Sequence, residues 1–138
     1  MTQLSPNFSY AEFTKTSQPI ANVPDATQLA NLRKTAVMLE QVRALLGHPI
    51  TVNSAFRSVA VNKAVGGVAT SDHCLGCAVD FVCPAFGTPY QIAKAIEASD
   101  IAFGQMIAEG TWLHLSWKPN PRRLLTLKAG HYVPGIVR

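Results

Sequence analysis

An aspartate set in an apolar run constrains this chain more than any other feature. Asp80 stands between Ala78-Val79 and Phe81-Val82, and burying a carboxylate is costly unless something cationic neutralises it. The alternation predicts a strand with Asp80 on one face and Val79 and Phe81 on the other. Just upstream, Ser71-Asp72-His73-Cys74-Leu75-Gly76-Cys77 reads as a polar loop that carries His73 and turns at Gly76. A second stretch, Trp112-Leu113-His114-Leu115-Ser116-Trp117, alternates in the same way, with His114 opposite Leu113, Leu115 and Trp117. Two strands and a loop thus each present one ligand-type side chain. A His/Asp/His set suits Zn²⁺ with one coordination position open, the pattern of a catalytic rather than a structural zinc.

The spacing Ser71-x-His73-x-x-Gly76-x-Ala78-x-Asp80, followed by Trp112-x-His114, resembles the M15 family of zinc peptidases. That family includes D-Ala-D-Ala carboxypeptidases, vancomycin-resistance dipeptidases and phage endolysins that cut peptidoglycan peptides. The resemblance covers nearly the whole chain. Leu4 to Phe8 with Glu12-Phe13 is similar to the family's N-terminal segment, and Thr51 to Ser58 with Asn62 to Gly67 to its arginine-bearing segment. The short, single-domain, phage-type members are the most similar subgroup.

The resemblance implies zinc held by His73, Asp80 and His114. It also implies that Arg57 binds a substrate carboxylate or the oxyanion, and a planar guanidinium can make the two parallel bonds this requires. A general base is expected shortly before the last histidine. The common family spacing puts it three residues ahead, where this chain has Thr111. The nearest carboxylate is Glu109, at a strand end before the Gly110-Thr111 turn, and it is the expected base. Asp72 is the rival, with Glu97 and Asp100 behind it near a helix end. Ser71 either hydrogen-bonds substrate or caps its loop.

Cys74 and Cys77 permit a redox pair or half of a zinc knuckle, which Cys83 and His131 would complete only irregularly. An odd count of three cysteines argues against a disulfide framework and for a reducing compartment. Met1 to Pro6 has neither a basic start nor an apolar core, which predicts synthesis without a secretory signal. The expected location is therefore a host bacterial cytoplasm, before release to the cell wall. A net charge of +4 with no basic block beyond Arg122-Arg123 excludes a nucleic-acid footprint and suits an anionic wall polymer. No eighteen-residue apolar stretch is present to span a membrane.

At 138 residues the chain fits a single domain, 1–138, expected as a monomer. Capping boxes at Ser9-Glu12, Asp25-Gln28 and Thr88-Gln91 predict helix starts, the last with Pro89 in first position. Leu29, Leu32, Ala36, Leu39, Val42 and Leu46 recur at helical spacing up to a Gly47 cap, a scaffold helix without chemistry. A short helix is expected over 58–65. Strands are expected over 49–54, around Asp80, and over 103–109 and 112–117, the last two as a hairpin closed off by Pro119-Asn120-Pro121. One more is expected over 124–128, and the tail from Gly130 reads as loop. The fold class is α+β, a small, mostly antiparallel sheet with helices packed against it.

The expected function is zinc-dependent cleavage of peptide bonds in peptidoglycan, as a phage-type endolysin. The alternatives are a non-catalytic zinc-containing wall-binding or virion domain and a cellular D,D-carboxypeptidase.

Overall fold

The computed structural model describes residues 3–118 and 122–138, so the expected terminator at 119–121 lies outside the described residues. Its helices begin where the sequence offers side-chain caps. Helix α1 (Tyr10–Thr14) starts at Ser9, whose hydroxyl accepts the Glu12 N–H while the Glu12 carboxylate accepts the Ser9 N–H. The same reciprocal pairing of Asp25 with Gln28 opens α2 (Ala26–Leu46), which ends at Gly47 in the left-handed conformation. Helix α3 (Val59–Ala64) starts from Ser58, and α4 (Pro89–Ala98) from Thr88 with Gln91 closing its box. Each box satisfies backbone donors that a helix start otherwise leaves open.

The first two strands, β1 (Gln3–Ser5) and β2 (Phe8–Ser9), form a separate hairpin. The other six build one sheet: β3 (Thr51–Ser54), β4 (Ala78–Val82), β5 (Gln105–Ala108), β6 (Leu113–Ser116), β7 (Arg123–Lys128) and β8 (His131–Pro134). Their order is β3-β4-β6-β5-β7-β8, antiparallel throughout except for the parallel pair β5 and β7. The architecture is α+β, as the pattern of elements predicts.

Register sorts the side chains by face. Asp80 lies opposite His114, His114 opposite Ile107, and Ile107 beside Leu125, a row that crosses four strands. The neighbouring rows hold Phe81, Leu113 and Ala108, and Val79, Leu115 and Met106, all buried. Because side chains alternate along a strand, these apolar rows face away from Asp80. They join Leu32, Ala36, Leu39 and Val42 of α2 and Ile92, Ala93 and Ile96 of α4 in one core. The helices therefore cover one face of the sheet and leave the Asp80 face for the site. Among the described residues no helix is long and apolar enough to cross a membrane.

Two features depart from expectation. The tail from Gly130 is not loop: His131–Pro134 pairs with β7 through a tight turn in which Ala129 (φ +52°) and Gly130 (φ +81°) are both left-handed. Such turns favour Asn-Gly or Gly-Gly, so Ala-Gly carries no clear hairpin signal. The β1–β2 hairpin was also unforeseen, because its strands are too short to show a period.

That hairpin is tied to α2 by Glu40. Its carboxylate accepts from Ser5 Oγ (2.6 Å), Asn7 N (2.7 Å) and Asn7 Nδ2 (2.7 Å). Partial burial pushes the Glu40 carboxyl upward, but these hydrogen bonds and the charge of Arg43 outweigh it and hold the pKa below the usual range. A depressed carboxylate stabilises the fold above its unfolded pKa of about 4.3 and loses that contribution as pH falls through its folded value. Glu40→Ala is expected to cost roughly 2 kcal/mol at neutral pH. In urea titrations at a series of pH values, the gap between variant and parent should close below about pH 4.

Candidate metal centre

The loop before β4 is shaped by helix α2. Residues Asp72–Leu75 form one 3-10 turn capped by Ser71 Oγ, which accepts the His73 N–H at 3.2 Å. Three α2 side chains seize the loop's carbonyls: Gln28 Nε2 donates to Cys74 O (3.1 Å), Asn31 Nδ2 to Leu75 O (2.9 Å) and Thr35 Oγ1 to Gly76 O (2.7 Å). Gly76 is left-handed (φ +81°), and a Cβ there would come within 2.5 Å of the Gln28 carbonyl oxygen. The motif glycine thus serves both the turn and the close approach to the helix.

This loop brings His73 over Asp80. His73 is buried, and its Nδ1 lies 2.6 Å from the Ala55 carbonyl oxygen. A carbonyl only accepts, so Nδ1 carries a proton and Nε2 of the neutral ring presents a lone pair. Nε2 lies 3.2 Å from Asp80 Oδ1, and His114 Nδ1 lies 2.9 Å from the same oxygen. A lone pair facing a carboxylate oxygen is repulsive unless a proton or a metal cation sits between them. One donor atom from each of His73, Asp80 and His114 lies within 4.8 Å of the others, a group that could hold a metal ion. Burial works against the Asp80 charge, but hydrogen bonds and charge from His114 and His73, when protons stand between them, overcome it and hold its pKa far below the ordinary range. Two imidazole nitrogens and one anionic oxygen fit Zn²⁺.

The donors open onto a cleft of about 700 Å³. Arg57, Ser71, Asp72 and Glu109 all line it, so the structure gathers every expected site residue into one place. Arg57 Nη2 lies 3.5 Å from Ser71 Oγ, while its Nε is buried with no partner among the described residues. Asp72 accepts from Ser116 Oγ at 2.7 Å. Glu109 accepts instead from Tyr132 Oη at 2.8 Å. Glu97 pairs with Lys94 on α4 and, like Asp100, is absent from the cleft lining.

The cysteines stand apart from this centre. All three are free, and burial raises the thiol pKa of both Cys74 and Cys77. Raised thiols are poor nucleophiles, and among the described residues the candidate metal group contains no cysteine.

Asn22 is a positioning residue that pattern reasoning leaves in a plain loop. Its Oδ1 accepts the Ser58 N–H (2.7 Å) and its Nδ2 donates to Phe56 O (2.9 Å), clamping the backbone on both sides of Arg57. Trp112 also lines the cleft, with its Nε1 buried and unpartnered among the described residues.

A zinc-type donor set lining an open cleft is the pattern of a catalytic rather than a structural metal centre. The Peptidase M15 family model matches residues 6–116, and the chain belongs to that family. It is also 42% identical over 77 residues to a zinc D-Ala-D-Ala carboxypeptidase of Streptomyces albus G. The aligned part is 54% of this chain and spans 30% of that protein's length.

The centre is expected to take up one zinc per chain. Replacing a direct ligand should weaken metal binding by at least the roughly 100-fold that the loss of a supporting contact can cost. His114→Ala should therefore lose zinc on dialysis, by elemental analysis, while retaining its helical circular dichroism. Chelation of the parent should lower its melting temperature, since an ion bound only by the folded state stabilises that state.

Proposed function

We propose that the chain is a zinc-dependent peptidase that cuts peptide bonds in bacterial peptidoglycan, acting as a monomeric endolysin-type enzyme. One observation carries this reading: the His73, Asp80 and His114 donors share a cleft with the Arg57 guanidinium and with the Glu109 carboxylate, one oxygen of which accepts from Tyr132 Oη. In the proposed site His73, Asp80 and His114 hold the ion. When bound, zinc polarises a carbonyl and lowers the pKa of water towards ~7.

The chain's own groups supply the remaining steps. Glu109 takes a proton from the attacking water and returns it to the leaving amine nitrogen. Arg57 grips a stem-peptide carboxylate or the developing oxyanion through its planar fork. Asp72 is the weaker candidate for the base because it precedes the first histidine, whereas the family resemblance puts the base shortly before the last, where Glu109 stands.

The size of the cleft favours an endopeptidase, since about 700 Å³ lies in the upper half of the usual range for ligand sites. A carboxypeptidase is the second reading, favoured by the name of the Streptomyces relative.

Digesting purified peptidoglycan and identifying the new termini by mass spectrometry separates these readings. Internal cleavage is expected; release of single D-alanines would favour the carboxypeptidase. Zinc and wall binding without any cut would make the protein a non-catalytic module. Glu109→Gln keeps the shape and removes the proton acceptor, so turnover should fall by roughly 10²-fold or more with zinc content unchanged. Asp72→Asn, by contrast, should retain most activity. Arg57→Lys keeps the charge without the fork and should cost on the order of 3 kcal/mol in the transition state, about a hundredfold in steady-state turnover.

A further inference from the structure

The hairpin of β7 and β8 lies beyond residues 6–116, the part matched by the family model. It nevertheless builds one wall of the cleft, contributing Leu125, Leu127 and Tyr132. Register explains how. Ala108 of β5 stands beside Thr126 of β7, so Glu109 continues level with Leu127, and Leu127 pairs with Tyr132 of β8. Glu109, Leu127 and Tyr132 therefore form a row across the sheet on the face that carries Asp80 and His114. The Tyr132 hydroxyl closes that row by donating to Glu109 Oε1 at 2.8 Å.

We infer that Tyr132 is a positioning residue, which holds the Glu109 carboxylate in place above the metal centre and acts on the reaction only through it. This rests on the base role proposed for Glu109. A glutamate just past a strand end, next to Gly110 at φ +98°, has little else to fix its side chain. A phenol donor pins one oxygen without neutralising the charge. The other oxygen is left to accept a proton from water. The arrangement also accounts for the phenol, whose pKa is pushed up to about 12, first by the hydrogen bond to Glu109, then by partial desolvation of a ring that stays half exposed and by the charges of Glu109 and Asp80.

The test combines kinetics with a readout that needs no turnover. Tyr132→Phe removes only the hydroxyl. It should retain zinc and the melting temperature, leave KM for a peptidoglycan stem peptide unchanged and lower kcat roughly tenfold. In the Glu109→Gln background the same change should lower kcat by less than about twofold, because residues acting as a unit are not additive. Equal losses in both backgrounds, or a raised KM with kcat intact, would overturn the inference and make Tyr132 a direct substrate contact.

Phenolate absorbance near pH 10, where an ordinary tyrosine is half ionised, supplies the second readout. The difference between parent and Tyr132→Phe should show Tyr132 still protonated, and Glu109→Gln should release it to ionise normally. If ionisation is the same with Glu109 and with Gln, the pairing is wrong whatever the activity. If the parent cuts no stem peptide but the phenol still depends on Glu109, the peptidase reading falls and the pairing stands.

Discussion

A single carboxylate oxygen, Asp80 Oδ1, meets two imidazole nitrogens at 3.2 and 2.9 Å, and most of the molecule is arranged to keep that meeting possible. A buried carboxylate is tolerated only with compensating positive charge and hydrogen bonds. Those partners must come from distant parts of the chain, because β4 itself offers only apolar neighbours. His114 arrives by antiparallel pairing of β6 with β4, directly opposite Asp80. His73 arrives on a loop whose carbonyls are claimed by α2 and whose ring is oriented by the Ala55 carbonyl. The scaffold helix thus has no chemistry of its own, yet it sets the position of one ligand.

The sheet separates stability from function by its two faces. On one, Val79, Phe81, Leu113, Leu115 and Met106 are buried beneath α2 and α4. Burial of such side chains contributes roughly 1.5–3 kcal/mol each. That other face carries the metal-binding group, the guanidinium and two carboxylates in one cleft. Its environment distinguishes the carboxylates: Asp80 is clasped by imidazoles, Asp72 by the Ser116 hydroxyl, and Glu109 by the Tyr132 phenol. Membership of the peptidase M15 family accords with this division.

Much of the fold was legible because its signals are local. Caps at Ser9, Asp25 and Thr88, the apolar stripe of α2 and the alternation of β4 and β6 concern residues within a few positions of one another. Strand alternation by itself also places Asp80 and His114 opposite their apolar neighbours, since the side-chain period of a strand is two. The candidate metal group of His73, Asp80 and His114 could be picked out for the same reason, helped by the spacing of its motif. What stayed hidden was the strand His131–Pro134, whose Ala-Gly turn lacks the usual residues for two left-handed positions.

Tertiary structure decided the rest, and it did so through pairings between segments far apart in sequence. Nothing near Glu109 announces Tyr132, twenty-three residues on; they meet because β7 runs parallel to β5 and β8 folds back beside it. Asn22 reads as an ordinary loop residue until it is seen bridging Phe56 and Ser58, thirty-four and thirty-six positions away. Residue types and local spacing determined which side chains could bind a metal. Sheet order and register, set by burial of the opposite face, determined that Asp72 and Glu109 line the cleft and which hydroxyl holds each of them there.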